Sequence, residues 1–333
     1  MEIISKTLSL MWQRKMIVGV IGLIIAGGNY VAAIFFNGIE SIYRGAVITS
    51  DVLDVTIYSF APAGSLAVVG LAMFIEVRKL GWEKSSINKI LNADTISAKT
   101  DLFYTVLYAS NIIAILGYLF TLGISYHISG LIREGLGLSL LTNSGIFITL
   151  PVLLLSNSLM FYIFHKIAHT RFLWELHKTH HAATHMHIVT NFRSHPFAAG
   201  LKAIFLTFPV AILGVPPIEF IVYYMFAGFI VLMQHTDMDW DLPFIEKYIL
   251  IGAAGHRLHH SLDHDHQQKN LGYVVLWDWL FGTLYRDDEA KITIGIDDDV
   301  YYVQNSGNLK TELWGIYAQT IKSFFREVRA TFA

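Results

Sequence analysis

The chain has 333 residues, of which 54% are hydrophobic and 15% charged, and its formal net charge is -2. Soluble domains carry about 25% charged residues, so this composition, with a mean hydropathy of +0.48, indicates a membrane protein. It excludes intrinsic disorder and a nucleic-acid binder, which needs a basic surface. The absence of cysteine excludes disulfides, thiolate nucleophiles and cysteine-bound metals.

Four apolar segments are long enough to cross a bilayer, which takes about 20 residues of helix. They are residues 16–36, 57–77, 102–124 and 145–164. Three asparagines interrupt them, Asn29, Asn111 and Asn157. We expect these amides to form hydrogen bonds between helices, which is the usual role of polar side chains inside spans.

Two shorter apolar stretches, 201–215 and 218–233, are joined by Pro216 and Pro217 and predict a membrane helical hairpin. Their length leaves open whether the hairpin crosses the bilayer fully. Lysine and arginine are concentrated in the segments on one side of the four spans, and the positive-inside rule makes that side cytoplasmic. Everything from His165 onward, apart from the hairpin, is therefore predicted to be cytoplasmic. The expected fold class is an all-α integral membrane protein with about four transmembrane helices, a membrane helical hairpin and a cytoplasmic helical cap.

Fourteen of the 15 histidines lie between His165 and His266, which is less than a third of the chain. Nine of them form one HxxxH motif, two HxxHH motifs and a single histidine after the hairpin: His165 and His169; His177, His180 and His181; His256, His259 and His260; and His235. On a helix, positions i, i+3 and i+4 share a face, whereas adjacent positions diverge by about 100°. Adjacent histidines can therefore serve different metal ions.

Nine histidines are too many for one tetrahedral zinc and suit two metal ions with four or five nitrogens each. Imidazole binds iron, zinc, copper and nickel alike, so the ligand type does not choose the metal. The remaining histidines lack this spacing. Among them, His185 and His187 are expected at the surface, and His195 is equally consistent with a structural hydrogen bond or a site role.

The chain resembles the fatty acid hydroxylase and sterol desaturase superfamily. The resemblance is carried by HKIAHTRFLWELHKTHH from His165, NFRSHP from Asn191, HTD from His235 and GHRLHHSLDHDHQQKNLGYVVLWDWLFGTLY from Gly255. It covers residues 145–286, which we assign as the catalytic domain. Residues 1–144 are then an N-terminal transmembrane region, and residues 287–333 a polar stretch with an amphipathic helix.

The resemblance implies a cytoplasm-facing centre of two iron ions, with zinc as a possible substitute, that uses O2 to oxidise an aliphatic C–H bond of a lipid. It assigns as metal ligands all eight histidines of the three motifs, with His235 as the ninth. His195, within the NFRSHP segment, is a catalytic candidate. Asp239 is a second one, because some members have a histidine at that position.

Aliphatic hydroxylation or desaturation needs a redox-active metal, and Zn2+ has no redox chemistry. The histidine motifs do not distinguish hydroxylation from desaturation. The substrate class stays open between fatty acyl chains, sterols and other lipids. The chain shows no dinucleotide fingerprint or haem-attachment motif, so electrons should come from a partner such as a ferredoxin or a cytochrome b5-like protein. The expected membrane is a bacterial inner membrane, or the endoplasmic reticulum if the source is eukaryotic.

Carboxylates are expected to orient the imidazoles. The candidates are Glu175, Asp237, Asp239, Asp263, Asp265 and Asp278.

Three other classes compete with this interpretation. A metal transporter would place ligands within the spans, and a cytochrome b would place paired histidines there. Here the motifs begin where the fourth span ends, which disfavours both. The closest alternative is a zinc-dependent membrane lipid hydrolase, which would need about three protein ligands and no O2.

Overall fold

The structure is a computed structural model that describes residues 21–35, 55–92, 95–124, 127, 131, 135–136, 138–287, 292–297 and 308–331. The predicted span 16–36 therefore lies partly outside the described residues, as does most of the polar stretch after Asp287. The described part is helical, with two isolated β-bridges, Leu250 with Val274 and Ser261 with Ile294.

Five helices make up the N-terminal half of the described chain. They are α1 (Ile21–Phe35), α2 (Val55–Leu80), α3 (Ser86–Asn92), α4 (Ile96–Ala109) and α5 (Ile112–Phe120). The second half of the described chain follows with α6 (Ile146–Ala168), α7 (Arg171–His181), a 3-10 helix (Ile188–Phe192), α8 (Pro196–Leu213), α9 (Pro217–Gln234), α10 (Pro243–Tyr248), α11 (Ala253–His259), α12 (His264–Gln267) and α13 (Val275–Leu280). The last helix is α14 (Leu309–Thr331).

Two of the described helices, α6 and α8, are long and apolar enough to cross a membrane. The predicted span 102–124 is not one straight helix, because α4 and α5 meet at an angle of 76°. The break falls at Asn111, whose φ of 59° is left-handed and ends helical continuity. If this bent pair counts as one span, the described chain has up to three spans. The expected number of about four is therefore not established.

The hairpin prediction is partly right. Gly214, with a φ of 64°, ends α8, and Pro216 and Pro217 begin α9 two residues later, an order that suits both residue types at helix ends. The two arms find their main neighbours elsewhere, however. Helix α8 packs chiefly on α5 and α6, whereas α9 packs chiefly on α2.

Buried polar contacts join the N-terminal helices to one another and to the second half of the described chain. Asn111 donates to Asn29 Oδ1 at 2.6 Å, which confirms the expected hydrogen bond between helices. The amide atoms of Asn157 are buried without a hydrogen-bond partner in the described chain, so the same expectation is wrong for that residue. On α4, the buried Asp101 accepts hydrogen bonds from Arg193 and His187 beside the 3-10 helix. His187 is therefore buried rather than at the surface.

Candidate metal centre

Four short stretches of helix bring the nine motif histidines together. His165 lies on the last turn of α6 and His169 caps its C-terminus. Helix α7 carries the first HxxHH motif, α11 with its C-cap carries the second, and His235 caps the C-terminus of α9. The apolar helices thus end where the imidazoles begin, which places the cluster at one end of the membrane helices.

The nine side chains form two groups, and in each group the ligand atoms lie within 4.8 Å of one another. Group A contains His165, His169, His177, His181 and His259, and group B contains His180, His235, His256 and His260. Adjacent histidines separate between the groups: His180 lies in group B and His181 in group A. This is the arrangement expected from the angle of about 100° between neighbours on a helix.

The nitrogen separations fit a central metal ion. In group A, His165 Nε2 lies 3.0 Å from His177 Nε2 and 3.2 Å from His259 Nε2. In group B, His235 Nε2 lies 3.2 Å from His180 Nε2 and 3.1 Å from His256 Nε2. Two nitrogens bound at about 2.1 Å to one metal lie roughly 3.0 to 3.4 Å apart when they are neighbouring ligands. Both groups therefore have the spacing of a coordination sphere.

Backbone carbonyls fix three of the imidazoles. His165 donates its Nδ1–H to Leu271 O at 2.6 Å, and His259 donates its Nδ1–H to Lys269 O at 2.8 Å. His235 makes the same bond to Val231 O at 2.7 Å. Each of these neutral rings has one proton, so its Nε2 carries a lone pair. Two lone pairs that face each other at 3.2 Å between His165 and His259 repel unless a cation lies between them.

The KNLGY segment supplies two of these carbonyls. Asn270 has a φ of 51°, and this left-handed residue separates the carbonyls of Lys269 and Leu271. Its side chain donates to Gly255 O and Tyr285 O and accepts from Tyr285 N. The buried carboxylate of Asp278 accepts from the backbone N–H of Leu271 and of the next residue, both at 2.8 Å. The turn is thus held from both sides.

The hydrogen-bond partners of the imidazoles differ from those expected from the sequence. Carboxylates were expected on the imidazoles, but backbone carbonyls accept the hydrogen bonds of His165, His235 and His259. Asp278 contributes indirectly, through the turn that it holds. Asn270 was not singled out from the sequence; the available signal was its place in the KNLGY segment and the tolerance of asparagine for a left-handed φ.

Several buried ring nitrogens have no hydrogen-bond partner in the described chain: both nitrogens of His169, His181 and His260, and Nδ1 of His256. Buried polar atoms are usually paired, so these orphaned nitrogens fit a missing metal. Burial, with repulsion between neighbouring imidazoles, lowers the pKa well below its usual range for His169, His177, His180, His181, His256, His259 and His260. Neutral imidazole is the form that binds metals.

A cleft lies against both groups; its enclosed volume is about 60 Å³, and the whole space, with the open solvent at its mouth, is about 610 Å³. Histidines of group A and group B line it together with two other kinds of residue. The apolar part of the lining is Phe161, Phe164, Leu176, Ala198 and Val231, and the polar part is Asn191, Arg193, Ser194, His195 and Lys202. A mainly apolar cavity with a few polar groups is the usual form of a ligand site.

The two catalytic candidates from sequence lie outside both groups. His195 donates its Nε2–H to Ile316 O at 2.8 Å, and its Nδ1 accepts from Phe197 N at 3.2 Å. Burial lowers the pKa of His195 to about 4, so the ring is neutral and caps α8 while it binds α14. Asp239 is largely exposed and pairs with Arg257. His195 thus lies in the cavity wall with both ring nitrogens hydrogen-bonded, and Asp239 lies at the surface.

The described residues form a helical protein with two to three candidate membrane spans and two adjacent groups of histidines that could hold metal ions. A model of the fatty acid hydroxylase family matches residues 150–283. These limits enclose the groups' nine histidines. This part of the chain is similar to the fatty acid hydroxylase family.

Two curated relatives are similar to the same part of the chain. An alkylglycerol monooxygenase from Danio rerio is 31% identical over 138 residues, which is 41% of this chain and 30% of that protein. An ornithine lipid hydroxylase from Rhizobium tropici is 29% identical over 142 residues, which is 42% of this chain and 43% of that protein. The chain thus spans less than half the length of either relative. No solved structure matches it significantly.

Proposed function

We propose that this protein is a membrane-bound oxygenase that holds two iron ions and uses O2 to hydroxylate, or desaturate, an aliphatic carbon of a lipid. One observation carries the proposal: two groups of buried histidines lie side by side against one largely apolar cavity. Group A would hold one ion and group B the other. Group A would offer five imidazole ligands and group B four.

Iron suits this donor set and this reaction. Bound iron supplies the redox chemistry that O2 activation and C–H oxidation require, and Zn2+ has none. The chain's own contribution is geometric. The carbonyls of Lys269, Leu271 and Val231 hold three rings in the tautomer whose Nε2 faces the metal, a role that partners of metal-bound imidazoles commonly perform.

The cavity lining supports an aliphatic substrate. Phe161, Phe164 and Val231 lie on α6 and α9 and offer apolar contacts to a hydrocarbon chain while excluding water from the metals. The names of the two relatives describe enzymes that act on an alkylglycerol and on an ornithine lipid, each with a polar end and a hydrocarbon part. We propose a lipid of this general kind as the substrate.

The proposal needs an external reductant. We propose a ferredoxin or a cytochrome b5-like protein as the electron donor, approaching from the cytoplasmic side. Multi-pass insertion and a cytoplasmic metal centre, in a bacterial inner membrane or the endoplasmic reticulum, belong to the same proposal. It draws support from the apolar helices α6 and α8 and from the distribution of lysine and arginine.

The test combines metal analysis with isotope labelling of the purified chain. Elemental mass spectrometry should give about two irons per chain. With a chemical reductant, total membrane lipid and 18O2, one lipid should gain one 18O atom as a hydroxyl group, or lose two hydrogens if the reaction is desaturation. One zinc per chain, with lipid cleavage that continues without O2, would instead identify the hydrolase.

A further inference from the structure

Lys202 places a positive charge in the wall of the cavity. It lies on α8, about two turns after the cap residue His195, and it lines the cavity together with histidines of both groups. Burial is the main cause of the lowered pKa of His177 and His180. The nearby positive charge of Lys202 lowers the pKa of both imidazoles slightly further. The ammonium group therefore faces the same space as the candidate metal centre.

The two cations of the lining differ in their partners. Arg193 forms an ion pair with Asp101 and donates to Ser97 O at 2.7 Å and to Ser97 Oγ at 2.8 Å. For Lys202, the described part of the chain provides neither an ion pair nor a hydrogen-bond acceptor. The positive charge of Arg193 is compensated within the protein, and that of Lys202 is not.

The cavity lining contains no aspartate or glutamate within the described residues. An ammonium group in apolar surroundings is costly unless a counter-charge accompanies it. Charged residues within apolar helices are for this reason uncommon and frequently mark a substrate path. We therefore expect a bound ligand to supply the negative charge that balances Lys202.

We propose that Lys202 is a specificity-determining residue that binds an anionic group, a carboxylate or a phosphate, at the polar end of the lipid substrate. This inference rests on the proposed function, because it assumes that the cavity holds the lipid. It narrows the substrate class to lipids with a negative charge near the carbon that is oxidised. The apolar lining contributes contacts to the hydrocarbon chain, and Lys202 fixes the end that enters beside the histidines.

The experiment measures binding rather than turnover. The purified full chain, in uncharged detergent and without reductant, is titrated with two pairs of fluorescent probes. One pair is a pyrene-labelled fatty acid and its methyl ester, and the other is pyrene-labelled phosphatidic acid and the matching diacylglycerol. We expect the anionic member of at least one pair to bind about tenfold more tightly or better, as charge-assisted hydrogen bonds allow. The pair that shows the preference identifies the anion as carboxylate or phosphate.

Variants of Lys202 test whether this side chain causes the preference for the anionic probe. Lys202→Met keeps the length of the side chain and should reduce the preference to about one, whereas Lys202→Arg should retain most of it. Lys247→Met makes the same chemical change at an exposed lysine and should leave the preference unchanged. Metal content measured on each variant shows that the centre is intact.

Equal binding of both members of both pairs would overturn the proposal, as would a preference that survives in Lys202→Met. The second result would mean that the side chain extends to the membrane surface instead, as long basic side chains can. Because the titration uses no O2 and no reductant, its result does not depend on oxygenase activity. A failure of the anion site is thus distinguishable from a failure of the proposed reaction.

Discussion

At the scale of single residues, the two HxxHH motifs distribute adjacent imidazoles between two metal positions. His180 and His181 are neighbours in sequence, yet their ligand atoms belong to group B and group A. His259 and His260 divide in the same way, with the order reversed. One helical turn therefore contributes to both positions, and a substitution at each residue tests a different one.

We expect His180→Ala and His181→Ala each to lower the metal content of the purified chain and to abolish lipid oxidation, because each removes a ligand from a different group. Membrane insertion should be unaffected. Elemental mass spectrometry and lipid turnover are the measurements. His185→Ala is the matched control, because His185 is exposed and lies outside both groups. Normal metal content in either ligand variant would remove that residue from the site.

Asn270 is a second informative residue. Alanine there should destabilise the protein by about 3 kcal/mol or more, because it loses three buried hydrogen bonds of about 1 kcal/mol each and retains the left-handed backbone. Without the Asn270 side chain, the two carbonyls that orient His259 and His165 should shift. This should weaken metal binding by about 10- to 100-fold. Chelator competition and thermal melting measure the two effects.

The comparison with Asn270→Gly separates the two causes. Glycine tolerates a positive φ, so this variant should recover part of the stability while metal binding stays weak, since the side-chain bonds are still missing. Metal affinity equal to that of the unaltered chain in Asn270→Ala would show that the turn does not orient the imidazoles.

The sequence predicted the cluster of nine histidines because metal ligands need fixed spacings, and helical periodicity converts those spacings into shared faces. It could not predict the partners of the ring nitrogens. Aspartate and glutamate can be read directly from a sequence. The direction of a backbone carbonyl cannot, because it depends on φ and ψ, as it does at Lys269 and Leu271. For the same reason, the sequence did not reveal that His195 binds the carbonyl of Ile316.

At the scale of helices, α5 and α8 cross at two glycines. A Cβ atom at Gly200 would lie 2.5 Å from Gly117 O and 2.7 Å from a methyl group of Thr121. Small residues allow such close contact between membrane helices. The crossing positions α8, and with it His195 and Lys202 in the cavity wall.

Gly200→Ala should therefore lower the stability of the chain by about 1 to 3 kcal/mol, the usual cost of overpacking. Thermal unfolding in detergent measures this. Gly228→Ala is the matched control, because nothing lies within 4 Å of a Cβ atom there, and alanine favours a helix more than glycine does. Equal melting temperatures for the two variants would contradict a tight crossing.

Hydropathy alone predicted where apolar helices occur but not where they bend. Residues 102–124 contain no charged side chain, and a hydropathy count does not register the left-handed φ at Asn111. The hairpin shows the same limit, since the prolines indicate the turn but not the neighbours of each arm. Those neighbours, α5 and α6 for one arm and α2 for the other, depend on which surfaces fit.

At the scale of the whole molecule, the arrangement in the membrane follows from charge. Lysine and arginine are concentrated on one side of the predicted spans, and this bias orients membrane proteins. A reporter fused after Ala333 should therefore be cytoplasmic. Paired fusions, one active only in the cytoplasm and one only outside it, measure this. An externally active fusion would overturn the orientation and with it the proposed access of the electron donor.

The sharing of α7 and α11 between the two groups also bears on how the centre is filled. Each helix carries histidines of both groups, so an ion that fixes these helices for group A also orders the ligands of group B. We therefore predict that two ions would bind cooperatively, with few half-loaded chains. Native mass spectrometry during a ferrous iron titration should show mainly empty and doubly loaded chains, whereas a dominant singly loaded species would show that the two positions fill independently.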